Sequence, residues 1–411
     1  MGGRLFLCHH GRMTQPDPPQ VFDAILLGAG AAGSMAAIQA SRRGRKVLLL
    51  DHSQKLGGKI LISGGGRCNF TNREAGPDNY LSANPHFAKS VLARWSPADT
   101  EAWIGGSGIA YHEKKLGQLF CDRSAADVVE FLDKELRSAG VNLRLGVKVN
   151  DIQHDDKGYH LKTSQGDFTA PSLVVATGGL SYTALGATGF GLELAERFGL
   201  AMVPTAPALD GFVFSGQDAE RFEGLQGLAI DAVLKTGGKK FSEAILFTHK
   251  GLSGPASLQA SLYWRPGQFI EADLLPGLNA VDDLLEYKKG HPLHYPIHWL
   301  STHWPQRLAE RWQTLNLPQV DDLGRMSDKT LRAFAETLQP WRFMPGGTVG
   351  YHKAEVMRGG VNTDALNQKD LQAKAVPGLY FCGEVVDVTG QLGGFNFQWA
   401  WASGAAVGRA I

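Results

Sequence analysis

The feature that most constrains this chain is a set of three glycines, Gly28, Gly30 and Gly33, caught between an apolar segment and an alanine-rich one. Residues 21–27 (VFDAILL) are rich in strand formers and run straight into Gly28. Residues 31–42 are helix-prone, and residues 46–50 (KVLLL) read as a strand buried on both faces of a parallel sheet. The order is β-α-β within about 30 residues. The bare G-x-G-x-x-G pattern is weak here. Glycine is 51 of 411 residues, so three fixed glycines recur by chance roughly 0.8 times in such a chain. Its position carries the information. Gly28 permits a tight turn, Gly30 lets backbone approach a pyrophosphate, and Gly33 lets helix and sheet pack closely. The helix N-terminus, with Ala31 and Ala32, turns unpaired N–H groups and a positive dipole end toward phosphates. Asp51 ends the next strand, where its carboxylate can accept from ribose hydroxyls.

Composition narrows the class. Lys and Arg total 41 against 40 Asp and Glu, a net charge of +1. That balance argues against a dedicated nucleic-acid binder, though a local basic patch can hide within it. The four cysteines (Cys8, Cys68, Cys121, Cys382) lie far apart with neither C-x-x-C nor metal-ligand spacing. No metal site and no redox dithiol is expected, and the setting is a reducing cytoplasm. The uncharged run at residues 24–41, centred on GAGAAGSMAA, reads as strand-turn-helix rather than a membrane span. Residues 1–20 read as a disordered extension, with Met13 a possible start of translation.

Further along, residues 52–85 read as a long functional loop. Ser124 to Gly140 carries a capped helix with an apolar stripe of Val128, Leu132 and Leu136. Residues 141–149 and 159–168 read as strands, and residues 173–176 as another buried strand entering Thr177-Gly178-Gly179. From about 200 to 345 the character changes, with a β part at about 200–278 and a helical part at about 279–345. We therefore expect a dinucleotide-binding unit over 21–199 and 346–411, interrupted by an inserted domain at 200–345.

Several blocks together resemble one family. GRCNFTN at 66–72 is the most specific; ATGGLSY at 176–182, LFTHKGLSGP at 246–255, and GLYFCGEVVDVTG at 378–390 continuing through GGFNFQWAW at 393–401 agree with it. In these residues the chain resembles the YhiN-like flavoproteins, which are similar to the bile-acid-reducing BaiN branch and to aminoacetone oxidase-like proteins. The resemblance implies an α/β fold, a Rossmann-like FAD-binding domain of the glutathione-reductase type with an inserted β-plus-helical domain. It implies non-covalent FAD. Gly28, Gly30, Ala31, Ala32, Gly33, Asp51 and His52 would hold the ADP half, and Val149 would meet adenine through its backbone. Lys59, Gly66, Arg67, Cys68 and Asn69 would line the pyrophosphate and flavin. Ala176, Thr177 and Gly178 would pass beneath the pyrophosphate, and Gly383 with Glu384 would meet the ribityl chain. Gly394, Phe395, Asn396 and Phe397 would present a helix N-terminus to the flavin N1/C2 edge, where it raises the reduction potential. Thr183, where the family usually has proline, and Asp51, where glutamate is commoner, mark a divergent branch.

The catalytic residues are unknown at this stage. His249 either protonates a substrate or fixes a turn, and Tyr182 follows a flavin-side turn from which it can reach substrate. Arg67 either meets the pyrophosphate or is a loop arginine, and Cys68 reads as a small buried residue. The histidines and tryptophans of 291–312 look like a packed or substrate-facing subdomain rather than a metal site. No second G-x-G-x-x-G exists, so NAD(P)H, if it is the donor, docks transiently. The leading reading is hydride transfer between FAD and a small organic substrate, in a monomer or homodimer with no membrane contact and no nucleic acid. The alternatives are a flavoprotein that modifies tRNA or another nucleic acid, with Lys239, Lys240, Lys288 and Lys289 as groove candidates, and a non-catalytic FAD-binding protein.

Overall fold

The structure is a computed structural model that describes residues 19–411. The expected extension lies, through residue 18, outside the described residues, and so does the Met13 start. Its last residue is ordered: Gln20–Val21 pairs in parallel with Phe168 and Thr169.

Five strands, β1 (Ala24–Leu27), β2 (Val47–Leu50), β3 (Asn142–Arg144), β4 (Ser172–Val175) and β5 (Leu379–Phe381), form a sheet in the order β5-β4-β1-β2-β3. All four pairings are parallel. β1 and β2 are buried at every position, which is why they read as unbroken apolar runs rather than alternating ones. Strand order reverses between β1 and β4, so the crevice above their carboxyl ends is where an open α/β sheet takes ligands.

Three helices matter for that crevice: α1 (Ala31–Ser41), α2 (Ala125–Ser138) and α3 (Phe395–Gly408). α2 is capped as its sequence suggests, with the Ser124 hydroxyl accepting from Ala126 N at 3.1 Å. α1 and α3 pack at backbone distance. A Cβ on Gly404 would lie 2.3 Å from Ala32 O, and one on Gly408 would lie 2.4 Å from Ala36 O. This pairing of Gly404 with Ala32 and Gly408 with Ala36 makes the two helices parallel. The start of α1 is level with Ser403, eight residues into α3, so α3 projects its N-terminus about 12 Å beyond that of α1 at 1.5 Å per residue.

Two sequence expectations change here. Residues 52–85 are not one loop: Gly58–Gly66 is helical with a break at Ser63–Gly65, and Asn69–Asn72 pairs with Gln118–Cys121. Helix propensity of a segment ending in three glycines is poor, and burial of Ile60 and docking against α2 override it. Residues 141–149 are not one strand. Gly146, at φ +69°, turns the chain after β3, and Val149 opens a separate antiparallel sheet built from Val149–Asp155, Gly158–Thr163 and Gly166–Ala170.

The buried apolar residues fall into two main cores. One runs from Phe22 to Leu200 and resumes from Val361 to Ile411; the other is drawn from Phe212 to Phe343. The second surrounds a seven-stranded sheet that includes Ala229–Thr236, Lys239–Phe247 and Ile270–Asp273 and reaches Gly347–Thr348. Helices Ala280–Gly290, Pro296–His303, Gln306–Asn316 and Asp328–Glu336 complete it. Trp299, Trp304 and Trp312 are buried there, their indole N–H groups bonded to Asp283, Leu274 O and Thr337. That explains the tryptophans of this region as core. The antiparallel pair Met202–Ala208 and Val356–Val361 connects the two cores.

Candidate functional site

At the carboxyl end of β1 the chain turns through Gly28 so tightly that a Cβ there would lie 2.4 Å from Ala176 O, at the end of β4. A Cβ on Gly33 would lie 1.9 Å from Gly28 O. Gly30 differs: around its Cβ position nothing lies within 4 Å. Gly30 is the N-cap of α1, which has no side-chain cap and no acidic residue in its first turn. The N–H groups of Ala31, Ala32 and Gly33 meet no acceptor among the described residues. Open space, free N–H donors and a helix dipole together make an anion site of pyrophosphate character.

Asp51 braces this turn. Its carboxylate accepts from Ala29 N at 2.6 Å and from Ser53 N at 2.7 Å, leaving lone pairs on both oxygens for ribose hydroxyls. His52 reaches across to Gly186 O at 2.8 Å and so ties the 176–191 segment to the end of β2. Ala176, Thr177 and Gly178 follow β4 directly beside Gly28, as expected. Val149 does not lie on the strand beside the first βαβ unit: that strand is β3, and Val149 opens the adjoining antiparallel sheet, while Val147 N bonds Asp51 O at 2.9 Å.

A second cluster forms where three distant segments converge on Glu384. Its carboxylate accepts from Lys59 Nζ at 2.7 Å, Met357 N at 2.8 Å and Gly179 N at 3.3 Å. A Cβ on Gly179 would lie 2.8 Å from Glu384 Oε1, so only glycine lets the 176–182 turn come this close. Lys59 and Glu384, both singled out on sequence, thus meet as an ion pair whose side chains are mostly shielded.

The third cluster joins 66–72 to the start of α3. Asn72 Nδ2 donates to Gly393 O at 2.9 Å. With its amide turned to satisfy both ends, Asn69 accepts from Gly394 N at 3.1 Å and donates to Thr71 O at 3.1 Å. Gly394 holds φ +96°, and a Cβ there would lie 2.4 Å from Thr71 O. Asn396 is spent on the loop that leads into α3, bonding Gly390 N at 2.8 Å and Gly390 O at 2.9 Å. Its side chain is therefore a brace. The N–H groups of Phe395 to Phe397 remain without acceptors among the described residues. Phe397 stacks on Trp401 with centroids 6.0 Å apart. Two unpartnered helix N-termini, offset by about 12 Å on parallel helices, suit a molecule with a phosphate at one end and an electron-rich ring at the other. FAD has that form.

Cys68 is fully buried, and burial pushes its thiol well above the ordinary range, so it is no thiolate. Cys121 is buried too, and its thiol is pushed up to about 12. Arg67 is exposed and its guanidinium makes no hydrogen bond or ion pair among the described residues. His249 sits at the exposed tip of a turn closed by Thr248 N and Gly251 O at 2.8 Å. Tyr182, in the left-handed region at φ +60°, bonds Tyr351 O through its N–H at 2.8 Å.

The residue that sequence reasoning missed is Glu355. Glu355 is exposed as a residue, yet the protein around it desolvates its carboxyl enough to push it up to about 7. Glu355 lies close enough to Tyr182 to press that phenol upward, after burial itself, and stands two residues before the Met357 amide that bonds Glu384. No motif marked it.

Among the described residues no helix is long and apolar enough to cross a membrane, and no group of three His, Cys, Asp or Glu could hold a metal.

Residues 22–410 match the family model described as HI0933-like protein Rossmann domain. The chain is 47% identical over 384 residues to the ribosomal RNA dihydrouridine synthase of Escherichia coli K12, covering 93% of this chain and 96% of that protein. It is 41% identical to the Haemophilus influenzae protein of the same name, covering 95% and 99%. The 3-dehydro-bile acid delta(4,6)-reductase of Clostridium scindens is 30% identical, with 94% and 98% covered. The chain belongs to the HI0933-like Rossmann-domain family, a family of flavoprotein oxidoreductases.

Proposed function

We propose that this chain is an FAD-dependent reductase that saturates the 5,6-double bond of a uracil base in ribosomal RNA. The observation that carries the reading is a concavity of about 600 Å³ on the second core, lined by Lys235, Lys239, Lys240, Arg342 and the exposed ring of Phe269. Glu271 also lines it and pairs with Arg342, leaving three lysines in excess. Lysines beside an exposed aromatic ring are what a nucleic-acid strand needs, the charges for phosphates and the ring for a base. The overall balance of +1 hides this patch, and the sequence-based expectation against nucleic acid is withdrawn in its favour. Lys239 and Lys240 belong to it. Lys288 and Lys289 do not line it, and are paired with Asp328 and Glu286. Near-full-length likeness to two proteins named for ribosomal RNA modification supports the same reading.

Bound FAD would supply hydride transfer. Saturating the uracil bond takes one hydride at C6 and one proton at C5, and a reduced nicotinamide is our proposed source of the electrons. The chain's own part is to bind and to protonate. The Ala31–Gly33 amides and Asp51 would hold the ADP half, and Glu384 with Lys59 would meet the ribityl region. Glu355, which burial keeps partly protonated near neutral pH, is our candidate proton donor, with Tyr182 beside it.

The test is to incubate the FAD-loaded protein with NADPH or NADH and ribosomal RNA, then digest the RNA and look by mass spectrometry for uridine that has gained two hydrogens. Its formation supports the reading. Reduction of an unsaturated steroid ketone instead, with RNA unchanged, would return the chain to the small-substrate reading that the bile-acid reductase likeness favours.

A further inference from the structure

Between the basic concavity and the cofactor crevice lies a pair of arginines from distant parts of the chain. Arg265 follows the helix Pro255–Tyr263, and Arg358 is on Val356–Val361, next to Met357. Both guanidinium groups converge on the same two carbonyl oxygens. Arg265 Nη1 donates to Leu262 O at 3.2 Å and Trp264 O at 3.0 Å. Arg358 Nη1 donates to Leu262 O at 3.3 Å and Trp264 O at 2.7 Å.

Closing a helix C-terminus is an ordinary task for one arginine. Two on one pair of carbonyls exceed that task. Each uses only Nη1, so Nε and Nη2 of both remain without acceptors among the described residues. Neither has a carboxylate within ion-pair distance among the described residues. Two like charges are thus held together with nothing negative between them. Burial first and then Arg265 press the Arg358 guanidinium down to about 10, a strain that an anion would relieve.

The pair is also placed to connect the two sites already described. On one side, Arg265 begins the turn that ends at Phe269, closed by Trp264 Nε1 donating to Gln268 O at 2.8 Å. The hairpin tip at Gly237 packs on Tyr263, its Cβ position 2.9 Å from Tyr263 O, so Lys239 and Lys240 lie just outside. On the other side, Arg358 feels Tyr351, which in turn feels Glu384. Tyr263 hydroxyl accepts from Gln391 Nε2 at 3.0 Å, on the loop that leads into α3.

We propose that Arg265 and Arg358 jointly hold one RNA phosphate at the mouth of the cleft, inward of the Lys235–Lys239–Lys240 face. Planar guanidinium groups with spare parallel donors suit a phosphodiester better than a point charge would. The pair would fix the strand's register so that one base enters the cleft while the lysines hold the backbone outside. This assignment rests on the ribosomal-RNA reading.

The test uses FAD-loaded enzyme and a fluorescein-labelled oligouridylate, with binding followed by anisotropy over a range of salt. Variants are Arg265→Gln, Arg358→Gln, the double variant, and Lys239→Ala with Lys240→Ala. The double arginine variant should bind at least tenfold more weakly, with a log–log salt slope reduced by about 0.7, for the one shared phosphate contact. Flavin content should be unchanged, and Arg358→Lys should restore the salt slope but only part of the affinity. Arginine variants with native affinity and slope, alongside weakened lysine variants, would overturn the arginine assignment alone. Native enzyme that fails to bind the oligouridylate even at low salt would overturn the ribosomal-RNA reading, and this assignment with it.

Discussion

Gly30 and Gly33 stand three residues apart in one turn, and the structure gives them opposite jobs. In Gly33→Ala the new methyl would lie 1.9 Å from Gly28 O and 3.2 Å from the Ala176 Cβ. Reaching even 3.0 Å from that oxygen requires helix and turn to part by 1.1 Å, and neither partner is a side chain that can swing away. Overpacking in a closed core costs about 1–3 kcal/mol, and a backbone clash belongs at the top of that range. At about 3 kcal/mol, a unit of 150–250 residues loses about 6–12 °C in Tm. Gly30→Ala has no such conflict. Its φ of −83° and ψ of −167° suit alanine, nothing lies within 4 Å of the methyl, and alanine for glycine at an N-cap costs about 0.5–1 kcal/mol. The apo protein should therefore melt within about 4 °C of native. The methyl, however, stands where the pyrophosphate would pass, so FAD should bind at least about tenfold more weakly, or about 1.4 kcal/mol. Thermal melts with and without FAD, together with flavin titration, read both effects. Native FAD affinity in Gly30→Ala would refute the assignment of this turn to the pyrophosphate, and a native apo Tm in Gly33→Ala would refute the packing argument.

The candidate proton donor gives a pH signature. If Glu355 must be protonated to work, turnover should fall as pH rises through about 7, whereas Glu355→Gln should lose about 10²–10⁴-fold and flatten across that range. Its effect on stability has the same sign. Burial raises the folded value above the unfolded one, so the folded chain holds this proton more tightly, and the stability gained is full below about 4.5 and lost as pH climbs through about 7. Chemical denaturation of Glu355→Gln should show a weaker decline between those limits than native protein does. Asp51→Ala leaves the Ala29 and Ser53 amides without their acceptor; it should cost about 1–3 kcal/mol and weaken FAD binding, and a variant with native melting and native flavin content would refute the bracing role. Glu384→Gln should keep the acceptor for Met357 N but remove the charge facing Lys59, so flavin affinity should change more than Tm, as titration and melting together would show.

How far the sequence could be read depended on which kind of atom does the work. The cofactor side is made largely of backbone: the Gly28 turn, the N-terminus of α1, the Gly179 approach to Glu384 and the Gly394 entry to α3. Such features demand glycine at set positions, and a run of glycines beside a strand is visible without coordinates. Where local signals conflicted with tertiary packing, reading failed. The glycines of 64–66 made a helix look like a loop, and Gly146 broke a strand that period-two alternation had carried on to Val149. Pro255 after Gly254 is a signal for the helix start that the structure has at Pro255–Tyr263. The substrate side is made of side chains that meet only in the fold. Arg265 and Arg358 belong to no shared motif, Glu355 gains its character from burial in the folded chain, and Lys235 joins Lys239 through a hairpin whose exposed face is set by what lies beneath it. A basic patch of this kind can sit on a chain whose charges sum to +1, because net charge averages over a surface while an RNA strand touches only one part of it.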